Sequence, residues 1–182
     1  MVVGGSLVGL STAIALSRLG AEVTVAEQSP ARAVDGGGLG VDVDLLRDVT
    51  GIDADPPVLH GIDRDGTAWA LLQGWLEEHA ARLSCVSVLR GRQVSTVTPG
   101  DQDRSATVRT TQGDMFPADL VVGADGARST VRATVDPAHP DARYAGVLLW
   151  RTLVDERAMP PAVARPRAGE PAREVYAAPT AW

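Results

Sequence analysis

The feature that most constrains this chain is a glycine-rich turn set between two apolar stretches. Val2 and Val3 run into Gly4-Gly5-Ser6-Leu7-Val8-Gly9. From Leu7 to Leu19, apolar residues fall at Leu7, Leu10 and Ile14, with Val8 and Leu19 on a flanking line. That spacing predicts a helix packed on a sheet. Gly20 ends it, because glycine enters the left-handed cap conformation freely. Ala21 to Glu27, centred on Val23, Thr24 and Val25, then reads as a β-branched strand. Strand, turn, helix and strand within about 30 residues form a βαβ unit.

The turn matches G-x-G-x-x-G except that Ser6 takes the place of the second glycine. The physics of that pattern is close backbone approach, so that a pyrophosphate rests on the N–H groups and positive dipole of the helix. Serine is small enough to permit this, and its hydroxyl can donate to phosphate. Gly9 and Ala13, four apart, let the helix lie close to the sheet. Glu27 ends the second strand, 23 residues beyond Gly4. An acid at that spacing accepts both hydroxyls of an adenosine ribose and repels a 2′-phosphate, which favours FAD or NAD over NADP. The alternative is a glycine turn in an ordinary α/β domain; strand, turn, helix, strand and acid in this order favour the nucleotide.

Further along, residues 29–42 read as a loop, Leu45–Val49 as a short helix and residues 51–66 as irregular. Thr67–Leu83 is predicted as an amphipathic helix with Thr67 as its N-cap. In it, Trp69 packs, Trp75 is partly exposed, and Glu77-Glu78 form a solvated face. A strand at Val86 and Val88 is followed by a β-meander through Val94–Thr98 and Ala106–Thr110, with turns at Pro99-Gly100-Asp101 and Gln112-Gly113-Asp114. Tyr144–Val154 reads as one more strand. Beyond Arg157 the chain is rich in Pro, Ala and Arg and loses periodicity.

Composition narrows the function. Hydrophobic residues make up 45% and charged residues 22%, a globular balance that excludes a disordered or fibrous chain. The net charge of −6, with no basic run, makes nucleic acid and anionic membranes poor partners. All 17 basic residues are arginine, so neither a Schiff-base lysine nor a P-loop lysine exists in this sequence. The single cysteine, Cys85, excludes an internal disulfide, suits a reducing compartment and reads as core filler. His60, His79 and His139 show no ligand spacing with it, so no metal is expected. The apolar stretch Met1–Leu19 lacks a positive leading region and is broken by polar residues, which fits a cytoplasmic domain better than a signal or a membrane span.

A second constellation lies at Asp119-Leu120-Val121-Val122-Gly123-Ala124-Asp125-Gly126-Ala127-Arg128-Ser129-Thr130-Val131-Arg132. A short apolar strand, Leu120–Val122, runs into Asp125 and Gly126, and a helix then starts with Ser129. Asp125 would sit at a carboxyl strand end, where open α/β sheets bind ligands. The alternative is an Asp and a Gly chosen only for the geometry of a strand-to-helix turn.

Together these motifs resemble the FAD-dependent aromatic-ring monooxygenases of the p-hydroxybenzoate hydroxylase group. GGSLVGLSTAIALSRLGAEVTVAEQ resembles their ADP-binding unit, and DLVVGADGARSTVR their Asp-Gly signature. RYAGVLLWRTLVDE at 143–156 is similar to a stretch of the subgroup that includes the 2,6-dihydroxypyridine 3-monooxygenases. The resemblance spans residues 1–156. It implies an α/β fold: a Rossmann-like FAD-binding domain with a β-meander over residues 1–140, then residues 141–182 as the start of a mixed-sheet substrate domain.

The resemblance also implies NAD(P)H as co-substrate, a small aromatic substrate, and oxygen transfer from dioxygen through a flavin C4a-hydroperoxide. Cofactor-binding candidates are Gly4, Gly5, Ser6, Leu7 and Gly9 in the turn, Glu27 and Gln28 at the strand end, and Asp125 and Gly126. To Asp125 it assigns the ribityl chain. No side chain is singled out as catalytic, and neither substrate identity nor oligomeric state is legible.

Departures from the family pattern accompany it. Asp35 stands where members usually have an arginine before the segment matching Gly36-Gly37-Gly38, the helix near Gln73-Gly74 lacks an arginine, and Gln28 replaces another. These lower the expected FAD affinity. A third family signature, rich in Gly, Asp and Ala, has no counterpart, so the chain reads as a fragment that is inactive in isolation. The rival readings are a flavin-dependent reductase or dehydrogenase on the same fold, and a non-catalytic FAD- or NAD-binding fragment.

Overall fold

In the computed structural model, the described residues are 1–32, 34, 37–58 and 65–147. Four strands form a parallel sheet: β1 (Val2–Val3), β2 (Val23–Glu27), β5 (Val86–Arg90) and β9 (Val122–Gly123), in the order β5-β2-β1-β9. β3 (Gly38–Gly40) and β4 (Gly66–Ala68) form a separate antiparallel pair. β6 (Val94–Thr98), β7 (Ala106–Thr110) and β8 (Met115–Ala118) make an antiparallel meander.

The period-2 alternation of strand side chains builds a core on each face of the parallel sheet. Val2, Val23 and Val25 face α1 (Leu7–Arg18) and α3 (Trp69–Ala81), where they pack on Leu10, Ala13 and Ile14 of the first helix and Leu72, Leu76 and Ala80 of the second. Val3 and Ala26 join the opposite core, with Val94, Val97 and Val108 of the meander and Val131 of α4 (Thr130–Val135). The result is three layers: helices, parallel sheet, and meander with α4. Leu76 is fully buried, and truncating such a side chain to Ala costs about 2–5 kcal/mol. α2 (Val43–Thr50) starts at Asp42, whose carboxylate accepts from Leu45 N–H at 2.9 Å.

Several elements differ from the sequence-based expectations. Thr67 is not an N-cap. It lies in β4, its hydroxyl donates to the Pro57 carbonyl, and Ala68 precedes α3 without a side-chain cap. β3 falls in the stretch expected as loop, and β4 spans the end of the stretch expected as irregular and the first two residues of the expected helix; three-residue strands containing glycine carry almost no periodic signal. β8 contains Pro117, which the meander tolerates at its edge because an edge strand can forgo one ladder donor. Trp75, by contrast, is partly exposed as expected, packing at the edge of the helix-side core with its ring 4.4 Å from that of His79. Glu77 is buried, at 6% exposure, and only Glu78 meets solvent.

Tyr144–Val147 has no strand, and the rest of the strand expected to Val154 lies outside the described residues, as do Asp35, His60 and nearly all of the expected second domain. Among the described residues, no helix is long and apolar enough to cross a membrane.

Candidate nucleotide-binding site

The chain leaves β1 toward β2 on one side, while β9 flanks β1 on the other. The carboxyl end of β1 is therefore a point where strand order reverses, the place at which open α/β sheets bind ligands. A cleft of about 430 Å³ opens there, walled by the turns after β1, β2, β5 and β9 and by the start of α3.

The turn after β1 is drawn tight from two directions. Gly4 N–H donates to the Ala26 carbonyl at 2.8 Å, and Ala124 N–H donates to the Val3 carbonyl at 2.7 Å. Gly4 has φ of +102°, and a Cβ there would overlap the Ala124 carbonyl oxygen. Gly9 lies in α1, and a Cβ there would overlap the Gly4 carbonyl oxygen. The two glycines thus let the helix, the first turn and the turn after β9 converge.

α1 begins at Ser6, whose carbonyl accepts from Leu10 N–H at 2.9 Å. Its side chain makes no capping hydrogen bond, and the first turn of the helix carries no acid. Among the described residues, neither the Ser6 N–H nor its hydroxyl finds a partner. A 12-residue helix thus presents free N-terminal donors and the positive end of its dipole at the cleft.

Two carboxylates flank those donors. Glu27, at 9% exposure, accepts from Gly5 N–H through Oε2 and from Ser29 N–H through Oε1, both at 2.7 Å. Asp125 accepts from Ser129 Oγ at 2.5 Å through Oδ1, and from Thr130 N–H at 2.6 Å and Val131 N–H at 3.3 Å through Oδ2. It therefore shapes the turn into α4 while also lining the cleft. A carboxylate offers about four lone-pair sites, so both acids keep capacity for ligand hydroxyls.

Of the sequence-predicted residues, Gly4, Ser6, Glu27, Gln28, Asp125 and Gly126 line the cleft together. Gly5, Leu7 and Gly9 do not. Gly5 is buried under the Glu27 side chain, Gly9 faces the Gly4 carbonyl, and Leu7 packs against the helix-side core.

The structure adds residues that the sequence reading passed over. α3 buries two polar side chains four positions apart, Gln73 and Glu77, among Leu72, Leu76 and Ala80. Gln73 Nε2 donates to the Gly5 carbonyl at 3.0 Å. Glu77 is ion-paired with Arg90, at the end of β5, and with Arg32, in the loop after β2. Arg90 also donates to the Ala31 carbonyl at 3.1 Å, which folds that loop over β5. The available signal was polar residues at helical spacing inside an apolar stripe. Arg128 lines the cleft as an exposed guanidinium with no carboxylate partner among the described residues.

A sequence profile described as "FAD binding domain" matches residues 69–162, more than half of the chain. The chain belongs to this family. It is 29% identical over 191 residues to hispidin-3-hydroxylase of Neonothopanus nambi, covering 88% of this chain and 45% of that protein. It is 27% identical over 183 residues to aurachin C monooxygenase/isomerase of Stigmatella aurantiaca, covering 85% and 47% respectively. The chain thus spans less than half the length of these two relatives. Among solved structures, p-nitrophenol 4-monooxygenase of Pseudomonas putida matches 74% of this chain and 42% of its own, with a TM-score of 0.62 and 22% identity. A 2-methyl-3-hydroxypyridine-5-carboxylic acid oxygenase matches 74% and 41%, with a TM-score of 0.60 and 23% identity. These likenesses bear out the α/β FAD-domain fold and the broad resemblance to FAD-dependent aromatic hydroxylases read from the two motifs.

Proposed function

We propose that this chain binds FAD in the cleft and forms the cofactor-binding part of a monooxygenase that hydroxylates an electron-rich aromatic or pyridine ring. The observation that carries the reading is the convergence, at three parallel strand ends, of free helix donors at Ser6 between two buried or half-buried acids, Glu27 and Asp125. That donor set fits a dinucleotide. The pyrophosphate meets the Ser6 N–H and the start of α1. The adenosine ribose donates its hydroxyls to Glu27, with Gln28 beside it, and the ribityl hydroxyls donate to Asp125 near Gly126. Glu27 carries its charge where a 2′-phosphate would fall, which sets FAD against NADP at this position.

When bound, the flavin supplies the redox chemistry with dioxygen and the reducing equivalents of NAD(P)H; the protein binds, orients and excludes water. One oxygen atom of dioxygen enters the ring and the other leaves as water. The names of the relatives, a hydroxylase and a monooxygenase, support this reaction class. Residues 1–140 are the FAD domain and residues 141–182 begin the substrate domain, in a cytoplasmic protein.

The test is a titration of the ¹⁵N-labelled chain with FAD, a measurement that tolerates weak affinity. Saturable shifts are expected at Ser6, Glu27 and Asp125. Shifts confined to other parts of the chain, or none, would overturn the assignment of the cleft.

A further inference from the structure

The turn after β1 is gripped at one residue from both sides, and one of the grips comes from a helix 68 positions away. Gly5 N–H donates to Glu27 at 2.7 Å, and the Gly5 carbonyl accepts from Gln73 Nε2 at 3.0 Å. All three residues are buried, Gln73 at 5% exposure. The Gly5 carbonyl belongs to the same peptide unit as the Ser6 N–H. A trans peptide is planar, so its C=O and N–H point in opposite directions. Fixing the carbonyl on Gln73 therefore fixes the Ser6 N–H away from α3. That N–H has no acceptor among the described residues, and Ser6 lines the cleft.

A glycine peptide rotates easily, and a free Gly5-Ser6 unit could turn its carbonyl oxygen toward the cleft. An anion would then meet an acceptor in place of a donor. We infer that Gln73 is a positioning residue: through the Gly5 carbonyl it holds the Ser6 N–H aimed at the pyrophosphate of the bound dinucleotide. This rests on the reading of the cleft as an FAD site. Gln73 acts through the turn, and its side-chain amide is used on the protein's own backbone. Glu27 cannot substitute for it, because a carboxylate grips only the N–H side of Gly5.

The test compares wild type, Gln73→Met and Gln73→Glu in titrations with FAD and with ADP, at about pH 8 and about pH 5.5, on either side of the titration of a carboxyl that burial shifts upward. Met fills the same space without a donor. Glu presents a carboxylate to the Gly5 carbonyl at the higher pH and an O–H donor when protonated. Gln73→Met is expected to weaken both ligands about five- to tenfold at either pH, as for one lost hydrogen bond. Gln73→Glu should be weaker still at the higher pH and recover toward wild type at the lower one, a recovery that lost packing alone would not produce. Unchanged spectra away from the turn show that both variants are folded.

Wild-type affinity in Gln73→Met, or a Gln73→Glu deficit with no pH dependence beyond that of Gln73→Met, would overturn the positioning role while leaving the cleft's assignment intact. Wild type that binds neither FAD nor ADP would overturn the assignment of the cleft, and this role with it.

Discussion

Glu27 and Gly5, 22 positions apart, are joined by a 2.7 Å hydrogen bond in which the Gly5 N–H donates to a carboxylate only 9% exposed. A Cβ at Gly5 would lie 2.9 Å from the Glu27 Cβ, so the contact needs glycine on one side and an acid on the other. The end of β2 is thereby stitched to the turn after β1, and the acid that would hold a ribose also holds the turn that would hold the phosphates. Glu27→Ala should weaken FAD binding by about 1–3 kcal/mol through lost charged hydrogen bonds. It should also lower the melting temperature of the ligand-free chain, because Gly5 and Ser29 lose their acceptor. A flavin titration that shows wild-type affinity would reject the ribose role.

Gly9 is required by the fold itself. Its missing Cβ leaves room for the Gly4 carbonyl, so Gly9→Val should push α1 off the turn and cost at least about 1–3 kcal/mol as overpacking. The expected outcome is loss of soluble, cooperatively melting chain, as well as loss of flavin. A variant that melts like wild type yet binds no flavin would show instead that Gly9 serves the ligand directly.

The sequence carried the βαβ unit, the meander and the strand end at Asp125, because periodicity and glycine punctuation are local properties. It located Glu27 and Asp125 by their positions after β-branched runs. It could not show that Gln73 and Glu77 belong to the site. Their partners, Gly5, Arg32 and Arg90, lie on other elements, and only the packing of α3 beside α1 and β5 brings them together. Glu77 looked solvated because a Glu-Glu pair on a helix ordinarily is. Thr67 looked like a cap because a hydroxyl before an apolar helix ordinarily is; pairing of β4 with β3 took precedence.

The ion pairs at Glu77 tie α3 to both the loop after β2 and the end of β5. Removing the acid leaves Arg90, with its side chain 23% exposed, without a counter-charge, whereas Arg32, at 51%, can turn to water. Breaking one partner of a buried pair costs about 3–5 kcal/mol, and the half-exposed Arg32 puts Glu77→Ala near the lower end. Urea unfolding would measure it. A loss below about 1 kcal/mol, the worth of a surface pair, would mean that the cluster is solvated.

At the β6–β7 turn, the Arg104 guanidinium, followed by the backbone N–H of Asp103, holds the Asp101 carboxyl below its ordinary range. A carboxyl depressed in the folded state adds stability above its unfolded pKa and loses it as pH falls through the folded value. The turn should therefore loosen only under acid conditions, below the usual aspartate range. Arg104→Ala should move the Asp101 midpoint upward in an NMR titration; an unmoved midpoint would remove the ion pair as its cause.

Asp125 holds three donors of its own turn, which leaves open whether it serves geometry, ligand or both. Ser129 separates the two. Its Oγ donates to Asp125 Oδ1 and accepts from Arg132 N–H at 2.9 Å as the N-cap of α4. Ser129→Ala removes that cap and one donor to Asp125 but leaves the carboxylate on Thr130 N–H, facing the cleft. It should cost about 1 kcal/mol of stability, the worth of a cap, and leave FAD affinity within about twofold. Asp125→Ala should cost a similar or larger amount of stability, and in addition weaken FAD by about 1–3 kcal/mol, the range for hydrogen bonds to a charged group. Thermal melts and flavin titrations on both variants give the two quantities separately. If affinity falls in proportion to stability in both, Asp125 acts only by shaping the turn. If affinity falls in Asp125→Ala alone, its carboxylate meets the ligand, and the free lone pairs at the end of β9 are the ones that take the ribityl hydroxyls.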